Sequence, residues 1–163
     1  MTSRPMFIML CGAPGSGKTT YARKSMFDSY IKLNNDDHLM KMMDKEGITY
    51  AESFNAHILQ AEFELVENLK AAVRSESNII LDQLNLTSAV RRKKLLRVPP
   101  KIYNRVVVPF PVDESILIER NNERAKKNMG IPENILKMYI ERFTPPLIKE
   151  GFDEIWGKDE IRF

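Results

Sequence analysis

The sequence predicts an α/β fold in which a central parallel sheet of five strands is covered by helices on both faces. Five apolar, strand-like runs alternate with helical patterns along the 163 residues, as expected when crossover helices join parallel strands. A glycine-rich segment follows the first run, and aspartates follow the second and third. Ligands of open parallel sheets bind beyond the carboxyl ends of the strands, so these positions are the first candidates for a site. The length suits one hydrophobic core, and we expect a single domain over residues 1–163.

The predicted strands are short runs that contain most of the continuous apolar sequence. They are Phe7–Cys11, Tyr30–Leu33, Asn78–Leu81, Arg105–Phe110 and Glu154–Trp156. No apolar stretch approaches 18 residues, so we expect no membrane span and a cytoplasmic location, which is the host cytoplasm for a viral protein. Cys11 is the single cysteine, which excludes an internal disulfide, and its place in an apolar strand favours a buried, inert thiol.

The first strand leads directly into a phosphate-binding loop. The sequence from Gly12 to Thr19 matches GxxxxGK[ST] at every fixed position, and a helical pattern follows it. Glycines let consecutive backbone N–H groups turn toward phosphate oxygens, the lysine reaches the β- and γ-phosphates, and the threonine hydroxyl ligates Mg²⁺. The motif therefore predicts a nucleoside triphosphate with Mg²⁺. The residues predicted to bind the nucleotide are Gly12, Ala13, Pro14, Gly15, Ser16, Gly17, Lys18, Thr19 and Thr20.

The second strand is followed by two adjacent aspartates at the start of a predicted helix. Both could simply cap that helix, since aspartate is a favoured N-cap residue. A carboxylate near the γ-phosphate is also well placed to take a proton from an attacking hydroxyl group. We assign the general base to Asp36 and the helix cap to Asp37.

The longest predicted helix begins at Thr49 and continues to about Arg74. Its start carries a capping box, in which Thr49 and Glu52 bond each other's backbone N–H groups. Apolar residues recur along it at spacings of three and four, so one stripe faces the core.

The third strand ends at Asp82, where proteins with phosphate loops place an acid near Mg²⁺. We therefore assign Asp82 to the metal with Thr19. Gln83 follows Asp82 instead of the glutamate that mechanical hydrolases use to polarise water, so transfer to an acceptor is favoured over hydrolysis. The chain has no NKxD segment of the kind used by guanine-specific switches, which favours ATP over GTP.

A basic run follows the third strand, with no acidic residue between Ser88 and Val108. Such a run is either a solvated helix face or a surface for an anionic partner such as a nucleic-acid backbone. Both interpretations remain open from the sequence. The seven cations are Arg91, Arg92, Lys93, Lys94, Arg97, Lys101 and Arg105.

Two further helices are predicted after the fourth strand. The first has Asp113 as its N-cap and carries Arg120 and Arg124 four residues apart, hence on one face. These arginines could close over the transferring phosphoryl group or pair with neighbouring glutamates on the surface. The second helix has Pro132 in its first turn and ends before Pro145 and Pro146.

Several blocks resemble the phage-type polynucleotide kinases, small P-loop kinases that transfer the ATP γ-phosphate to the 5′-hydroxyl of DNA or RNA. FIMLCGAPGSGKTTYARK is similar to their first strand, loop and helix, and NNDDHLM to the segment whose first aspartate acts as general base. IILDQLNLTSAVRRKK resembles the third strand, and ERNNERAKKNMGIPENILKMYIERF resembles the lid helix followed by an Ile-Pro helix. The resemblance spans Phe7 to Phe143 in the family's order.

The resemblance implies a P-loop kinase fold with a helical lid at about residues 119–131, acting on a nucleic-acid 5′ end. It assigns catalysis to Lys18, Asp36, Asp82, Arg120 and Arg124. The chain departs from the family at two positions. Leu39 stands where the family has an arginine that binds the acceptor's phosphate, and Leu84 stands where relatives often have a small polar residue. Other residues are therefore candidates to bind the acceptor, namely Asp37, His38, Asn85, Arg91 and Arg92, together with Lys41.

Two alternatives remain from the sequence. One is a kinase for a small metabolite or nucleoside on the same scaffold, which Leu39 favours. The other is a nucleotide-dependent nucleic-acid-binding module without transfer activity, which would use the basic run.

Overall fold

The computed structural model describes residues 3–160, and within them five parallel strands form one sheet in the order β2-β3-β1-β4-β5. The strands are β1 (Met6–Cys11), β2 (Ile31–Leu33), β3 (Ile79–Asp82), β4 (Asn104–Pro109) and β5 (Glu154–Ile155). The helices are α1 (Lys18–Ala22), α2 (Asp36–Glu46), α3 (Tyr50–Arg74), α4 (Ser88–Leu95), α5 (Glu114–Ala125) and α6 (Glu133–Arg142). Short 3₁₀ turns lie at Ser25–Phe27 and Ile148–Glu150. The predicted domain ends, residues 1–2 and 161–163, lie outside the described residues.

The alternation of side chains along β1 builds a core on each face of the sheet. Phe7, Met9 and Cys11 pack on the side covered by α3 and α4, whereas Ile8 and Leu10 pack on the side covered by α1. All five side chains are fully buried. The sequence of a strand that is buried on both faces is a continuous apolar run, as expected for the centre of a parallel sheet. This arrangement confirms the predicted sheet with helices on both faces.

The register of the strands brings the candidate site residues to one edge. Leu10 pairs with Asp82, and Leu33 pairs with Leu81, so β1, β2 and β3 end close together. The loop after β1, the start of α2 and the end of β3 therefore meet at the carboxyl edge of the sheet.

The capping box of α3 is present as predicted. The backbone N–H of Thr49 donates to Glu52 Oε2 at 2.7 Å, and the backbone N–H of Glu52 donates to Thr49 Oγ1 at 3.3 Å. The helix runs to Arg74 and buries Ala61, Leu65, Leu69 and Ala72 against its neighbours.

The assignment of Asp37 as the cap of α2 is wrong. The helix begins at Asp36, and Asn34 Oδ1 accepts from the backbone N–H of Asp37 at 2.8 Å. Asn34 therefore accepts the hydrogen bond that a capping side chain would accept. Both aspartates lie in the first turn, where the helix dipole favours negative charge. Asp113 occupies the N-cap position of α5 without a side-chain cap bond, and Pro132 is the N-cap of α6 instead of a residue of its first turn.

The basic run divides between the interior and the surface. Arg91 is fully buried and donates to both carboxylate oxygens of Glu150, at 2.7 and 2.8 Å. Lys94 bonds side chains after β3, and Arg105 donates to the carbonyl of Val98 at 3.1 Å. Since Arg91 and Leu95 share the core-facing side of α4, the run is not a uniform solvated face. The exposed cations of the run are Arg92, Lys93, Arg97 and Lys101.

No helix among residues 3–160 is both long and apolar enough to cross a bilayer.

Candidate active site

A cleft of about 1290 Å³ opens at the carboxyl edge of the sheet. Pockets for drug-sized ligands measure roughly 300–1,000 Å³, so this cleft has room for a nucleotide and a second substrate. Its lining includes loop residues 14–20, Asp36, Asp37, Asp82, Arg120 and Arg124. The structure therefore brings the predicted catalytic residues to one cavity.

The loop between β1 and α1 has the backbone that its glycines permit. Gly15 and Gly17 have φ angles of +81° and +100°, in the left-handed region that disfavours other residues. A Cβ added at Gly12 would lie 2.8 Å from Ser16 Oγ and 3.0 Å from Phe110 Cβ, so a side chain does not fit there. Gly12 and Ala13 are not among the residues that line the cleft, and their carbonyl oxygens accept hydrogen bonds from Lys18. This loop shape fits a phosphate group held by backbone N–H groups.

The ammonium group of Lys18 lies inside the loop. Its Nζ donates to the carbonyl oxygens of Gly12 and Ala13 at 2.8 and 2.9 Å. Burial lowers the pKa of Lys18 to about 8, while the negative charges of Asp82 and Asp36 oppose that shift. A phosphate group beside this ammonium would offset the desolvation cost of its positive charge.

Thr19 and Asp82 supply two oxygen ligands of the kind that Mg²⁺ prefers. The Thr19 hydroxyl donates to Asp82 Oδ2 at 2.9 Å. Burial raises the pKa of Asp82, and the Thr19 hydrogen bond and the Lys18 charge act in the opposite direction. Within the described part of the chain, no group of three or more His, Cys, Asp or Glu side chains could hold a metal. This arrangement fits Mg²⁺, which protein sites commonly hold through one or two carboxylates plus substrate phosphates.

Asp36 is half-buried at the start of α2 and faces the same space. Its Oδ1 accepts a hydrogen bond from the Tyr50 hydroxyl at 2.6 Å. The negative charge of Asp36 acts on both Lys18 and Asp82, and all three residues line the cleft. Asp37 also lines the cleft, and its Oδ2 accepts from the Asn34 amide at 3.1 Å.

The two arginines of α5 lie over the loop. Arg120 Nη1 donates to the carbonyl oxygen of Gly15 at 2.7 Å. Arg124 is half-buried, and its positive charge acts on both Lys18 and Tyr50. Neither arginine forms an ion pair with Glu119 or Glu123 among the described residues. The alternative of surface pairing is therefore not observed there, and both arginines line the cleft.

Of the predicted acceptor-binding residues, Asp37 and Asn85 line the cleft, whereas His38, Arg91 and Arg92 do not. Asn85 lines the cleft, but its amide donates to the carbonyl oxygen of Leu10 at 2.6 Å. His38 Nδ1 lies 2.9 Å from Glu64 Oε2, on the side of α2 that meets α3. The assignment of Arg91 is wrong, because its buried ion pair with Glu150 keeps it from any acceptor. Arg92 is exposed outside the cleft lining.

Leu39 and Lys41 do not replace the family's gripping arginine. Leu39 is fully buried in a cluster with Tyr50 and Ala61. Lys41 is exposed on α2 and is absent from the cleft lining.

Two residues that the sequence analysis did not assign to the active site lie in the cleft. Tyr50 bonds Asp36, and Lys94 Nζ bonds the side-chain oxygens of Gln83 and Asn85. Burial lowers the pKa of Lys94 to about 8. The capping box located Tyr50 as the first residue of a helix, but nothing in the local sequence indicates that this helix start faces Asp36.

Comparison with known proteins agrees with this geometry. The chain is 32% identical over 158 residues to heterogeneous nuclear ribonucleoprotein U-like protein 2 of Mus musculus, and the match covers 91% of this chain and 21% of that protein. The human protein of the same name is 29% identical over 156 residues. The chain therefore spans about a fifth of the length of these relatives.

Solved structures share the fold at low sequence identity. A candidate kinase from Chloroflexus aurantiacus J-10-fl has a TM-score of 0.73 at 17% identity, with 95% of this chain and 88% of that chain covered. A chain of the Pnkp1/Rnl/Hen1 RNA repair complex has a TM-score of 0.65 at 20% identity, with 87% and 45% covered. Shikimate kinase from Acinetobacter baumannii has a TM-score of 0.54 at 20% identity, with 93% and 83% covered.

A family model described as an AAA domain, AAA_33, matches residues 7–146, which include every strand except β5 and all six helices. The chain therefore belongs to this AAA-domain family, and it has a P-loop kinase-like fold with a five-stranded parallel sheet.

Proposed function

We propose that this domain transfers the γ-phosphoryl group of Mg·ATP to a hydroxyl group, with the 5′ end of DNA or RNA as the acceptor. One observation carries the transfer reaction: Lys18, the Thr19–Asp82 pair and Asp36 share a cleft over which Arg120 and Arg124 lie. A phosphoryl transfer needs a base, a metal site and cations around the transferred group, and these residues supply all three.

In the proposed reaction, Asp36 accepts the proton of the acceptor hydroxyl. The new bond forms between the acceptor oxygen and the γ-phosphorus as the bond from that phosphorus to the β-phosphate oxygen breaks, and ADP leaves. Thr19 and Asp82 would hold Mg²⁺, which neutralises charge on the phosphates. Lys18, Arg120 and Arg124 stabilise the charge that spreads over the transferred oxygens.

Two observations support a nucleic-acid acceptor. The fold is similar to a chain of the Pnkp1/Rnl/Hen1 RNA repair complex, whose name connects that complex with RNA repair. Thr87 and Val90 at the start of α4 line the cleft, while the exposed cations Arg92, Lys93 and Arg97 continue from this helix. A DNA or RNA strand whose 5′ end lies in the cleft could place its backbone phosphates along these cations.

A small-metabolite acceptor is the second candidate, and the burial of Leu39 favours it. No arginine occupies that position to hold an acceptor phosphate, and Lys94 is the one cation of the basic run that lines the cleft among the described residues. The fold is also similar to shikimate kinase and to a gluconokinase from Sinorhizobium meliloti 1021.

Labelled ATP separates these candidates. We expect the protein with Mg²⁺ to label 5′-hydroxyl DNA or RNA oligonucleotides faster than a panel of sugars, nucleosides and small hydroxy acids. Labelling of a metabolite instead would establish the second candidate. Salt-sensitive oligonucleotide binding without any labelled product would show a binding module and refute the transfer reaction.

Asp36→Ala tests the assignment of the base. We expect it to keep ATP affinity and to lose transfer by orders of magnitude, since positioning and proton removal supply most of the catalysis. Asp44→Ala removes an exposed carboxylate from the same helix and is the matched control, with unchanged activity expected. A fully active Asp36→Ala enzyme would refute this assignment.

A further inference from the structure

The general base proposed above has a single side-chain partner in the described structure. Within residues 3–160, Tyr50 is the only side chain that hydrogen-bonds to Asp36, at 2.6 Å from the Tyr50 hydroxyl to Oδ1. A tyrosine hydroxyl that donates to one carboxylate oxygen leaves the other oxygen to accept a proton. The bond therefore selects which oxygen of Asp36 meets the acceptor.

Tyr50 is itself held tightly. It is the first residue of α3, directly after the Thr49 and Glu52 capping box, and its side chain is buried. Its ring packs with Leu39 of α2 and Ala61 of α3. Burial, together with the nearby Asp36 charge, raises the pKa of Tyr50, so the hydroxyl stays a proton donor throughout the physiological range.

The same residue contacts the segment that follows the arginine-bearing helix. The Tyr50 backbone N–H donates to the carbonyl oxygen of Asn128 at 2.9 Å. Met129 and Ile131 pack against the cluster that contains the Tyr50 ring. The Arg124 charge acts on the Tyr50 hydroxyl, so the end of α5 and the base are joined through one side chain.

We propose that Tyr50 is a positioning residue, which orients Asp36 toward the acceptor hydroxyl and links that orientation to the segment after α5. This inference rests on the proposed function, because it assigns Tyr50 a role through the base. A base that rotates away from the acceptor loses the alignment that proton transfer requires.

Tyr50→Phe removes the hydroxyl and keeps the ring, the backbone bond to Asn128 and the packing. We expect kcat to fall about 10-fold, the scale of one lost hydrogen bond to a charged group, with the nucleotide KM unchanged. Circular dichroism should show that the variant is folded, so the loss of kcat reports the orientation of Asp36. Arg124 and Tyr139 also act on Tyr50, and Lys18 and Asp82 interact with Asp36; the variant leaves all four unchanged.

Tyr103→Phe is the matched control. Tyr103 is a fully buried tyrosine whose hydroxyl donates to the carbonyl oxygen of Ser77 at 3.0 Å, away from the cleft. Its loss should lower stability without lowering kcat of the folded enzyme. A Tyr50→Phe enzyme with wild-type kcat would overturn the inference, as would a Tyr103→Phe enzyme with the same loss of kcat at unchanged nucleotide KM. If the wild-type protein phosphorylates no acceptor while binding nucleotide, the proposed function fails instead.

Discussion

At the scale of single residues, the candidate site depends on charges held in partly dehydrated positions. Lys18 is the strongest case, because its ammonium bonds loop carbonyl oxygens while burial lowers its pKa to about 8. Burial disfavours the charged form of a lysine, and a nearby anion favours it. The protonation state of Lys18 should therefore change with both pH and nucleotide.

The proton balance of nucleotide binding tests this property. With its pKa lowered to about 8, Lys18 loses its proton in the free protein as the pH rises through that value, and phosphate groups beside it should raise the pKa. We expect binding to take up a proton at pH 8.5 and little at pH 6.5, where the lysine is already charged, and affinity to fall as pH rises above about 8. Calorimetry in buffers with different ionisation enthalpies measures the uptake.

Lys18→Arg is the control for that experiment, since an arginine stays charged across this range. We expect its residual nucleotide binding to occur without the pH-linked proton uptake. Equal uptake by the wild type and by this variant would assign the proton to another group.

At the scale of elements, α5 connects the phosphate loop to the segment that meets Tyr50. Arg120 bonds Gly15 at one end of its cleft-facing side, and Arg124 lies one turn later near Lys18 and Tyr50. The spacing of four residues puts both guanidinium groups on one face. Leu117 of α5 packs in a small hydrophobic cluster with Ala13 of the phosphate loop and Leu136 of α6.

Removal of either arginine should affect the chemical step more than nucleotide binding. We expect Arg120→Ala and Arg124→Ala each to lower kcat by about 100-fold, because each removes a cation from the transferred group. Single-turnover transfer of labelled phosphate measures this step. Lys126→Ala is the control, because Lys126 pairs with Glu123 on the exposed side of the same region and should be neutral. A loss confined to the nucleotide KM would show that the arginines bind the ground state alone.

At the scale of the whole molecule, a buried ion pair joins α4 to the last part of the chain. Arg91 and Glu150 have side-chain exposures of 0% and 2% and lie 59 residues apart in sequence. The pair lowers the pKa of Glu150 and raises that of Arg91. This contact ties the loop after β3 and helix α4 to the 3₁₀ turn before β5, since Arg91 also donates to the carbonyl oxygens of Asn85 and Leu86 at 3.0 Å.

Removal of one residue of the Arg91–Glu150 pair should lower the free energy of unfolding more than removal of both. We expect Glu150→Gln to lower the free energy of unfolding by about 3–5 kcal/mol, because it leaves a buried arginine without its counter-charge. Arg91→Met combined with Glu150→Met should cost less than the single change. Urea unfolding at pH 7 measures both. If the double methionine variant cost as much as Arg91→Met and Glu150→Met added together, the coupling would be contradicted.

The pair also predicts an acid dependence. Glu150 binds a proton more weakly in the folded state than in the unfolded state, so its contribution is complete above the unfolded pKa. It should be lost as the pH falls below about 4.5 through the lower folded pKa. The double methionine variant should lack this part of the acid unfolding curve.

The sequence by itself determined the sheet, the phosphate loop and the order of the helices. Those features depend on local patterns: apolar runs, glycine and lysine at fixed spacing, and a capping box, each of which acts over a few residues. The positions of Asp36 and Asp82 were also predictable, because the carboxyl ends of parallel strands meet at one edge.

Only the tertiary structure decided what the polar side chains of the basic run and of α3 contact. Arg91 and Arg92 are neighbours in sequence, yet one is buried against Glu150 and the other is exposed. Tyr50 reaches Asp36 across 14 residues, and Asn128 reaches Tyr50 across a much longer separation. A charged or phenolic group takes its role from the partners that packing places around it, and such partners come from distant parts of the chain that no local pattern relates.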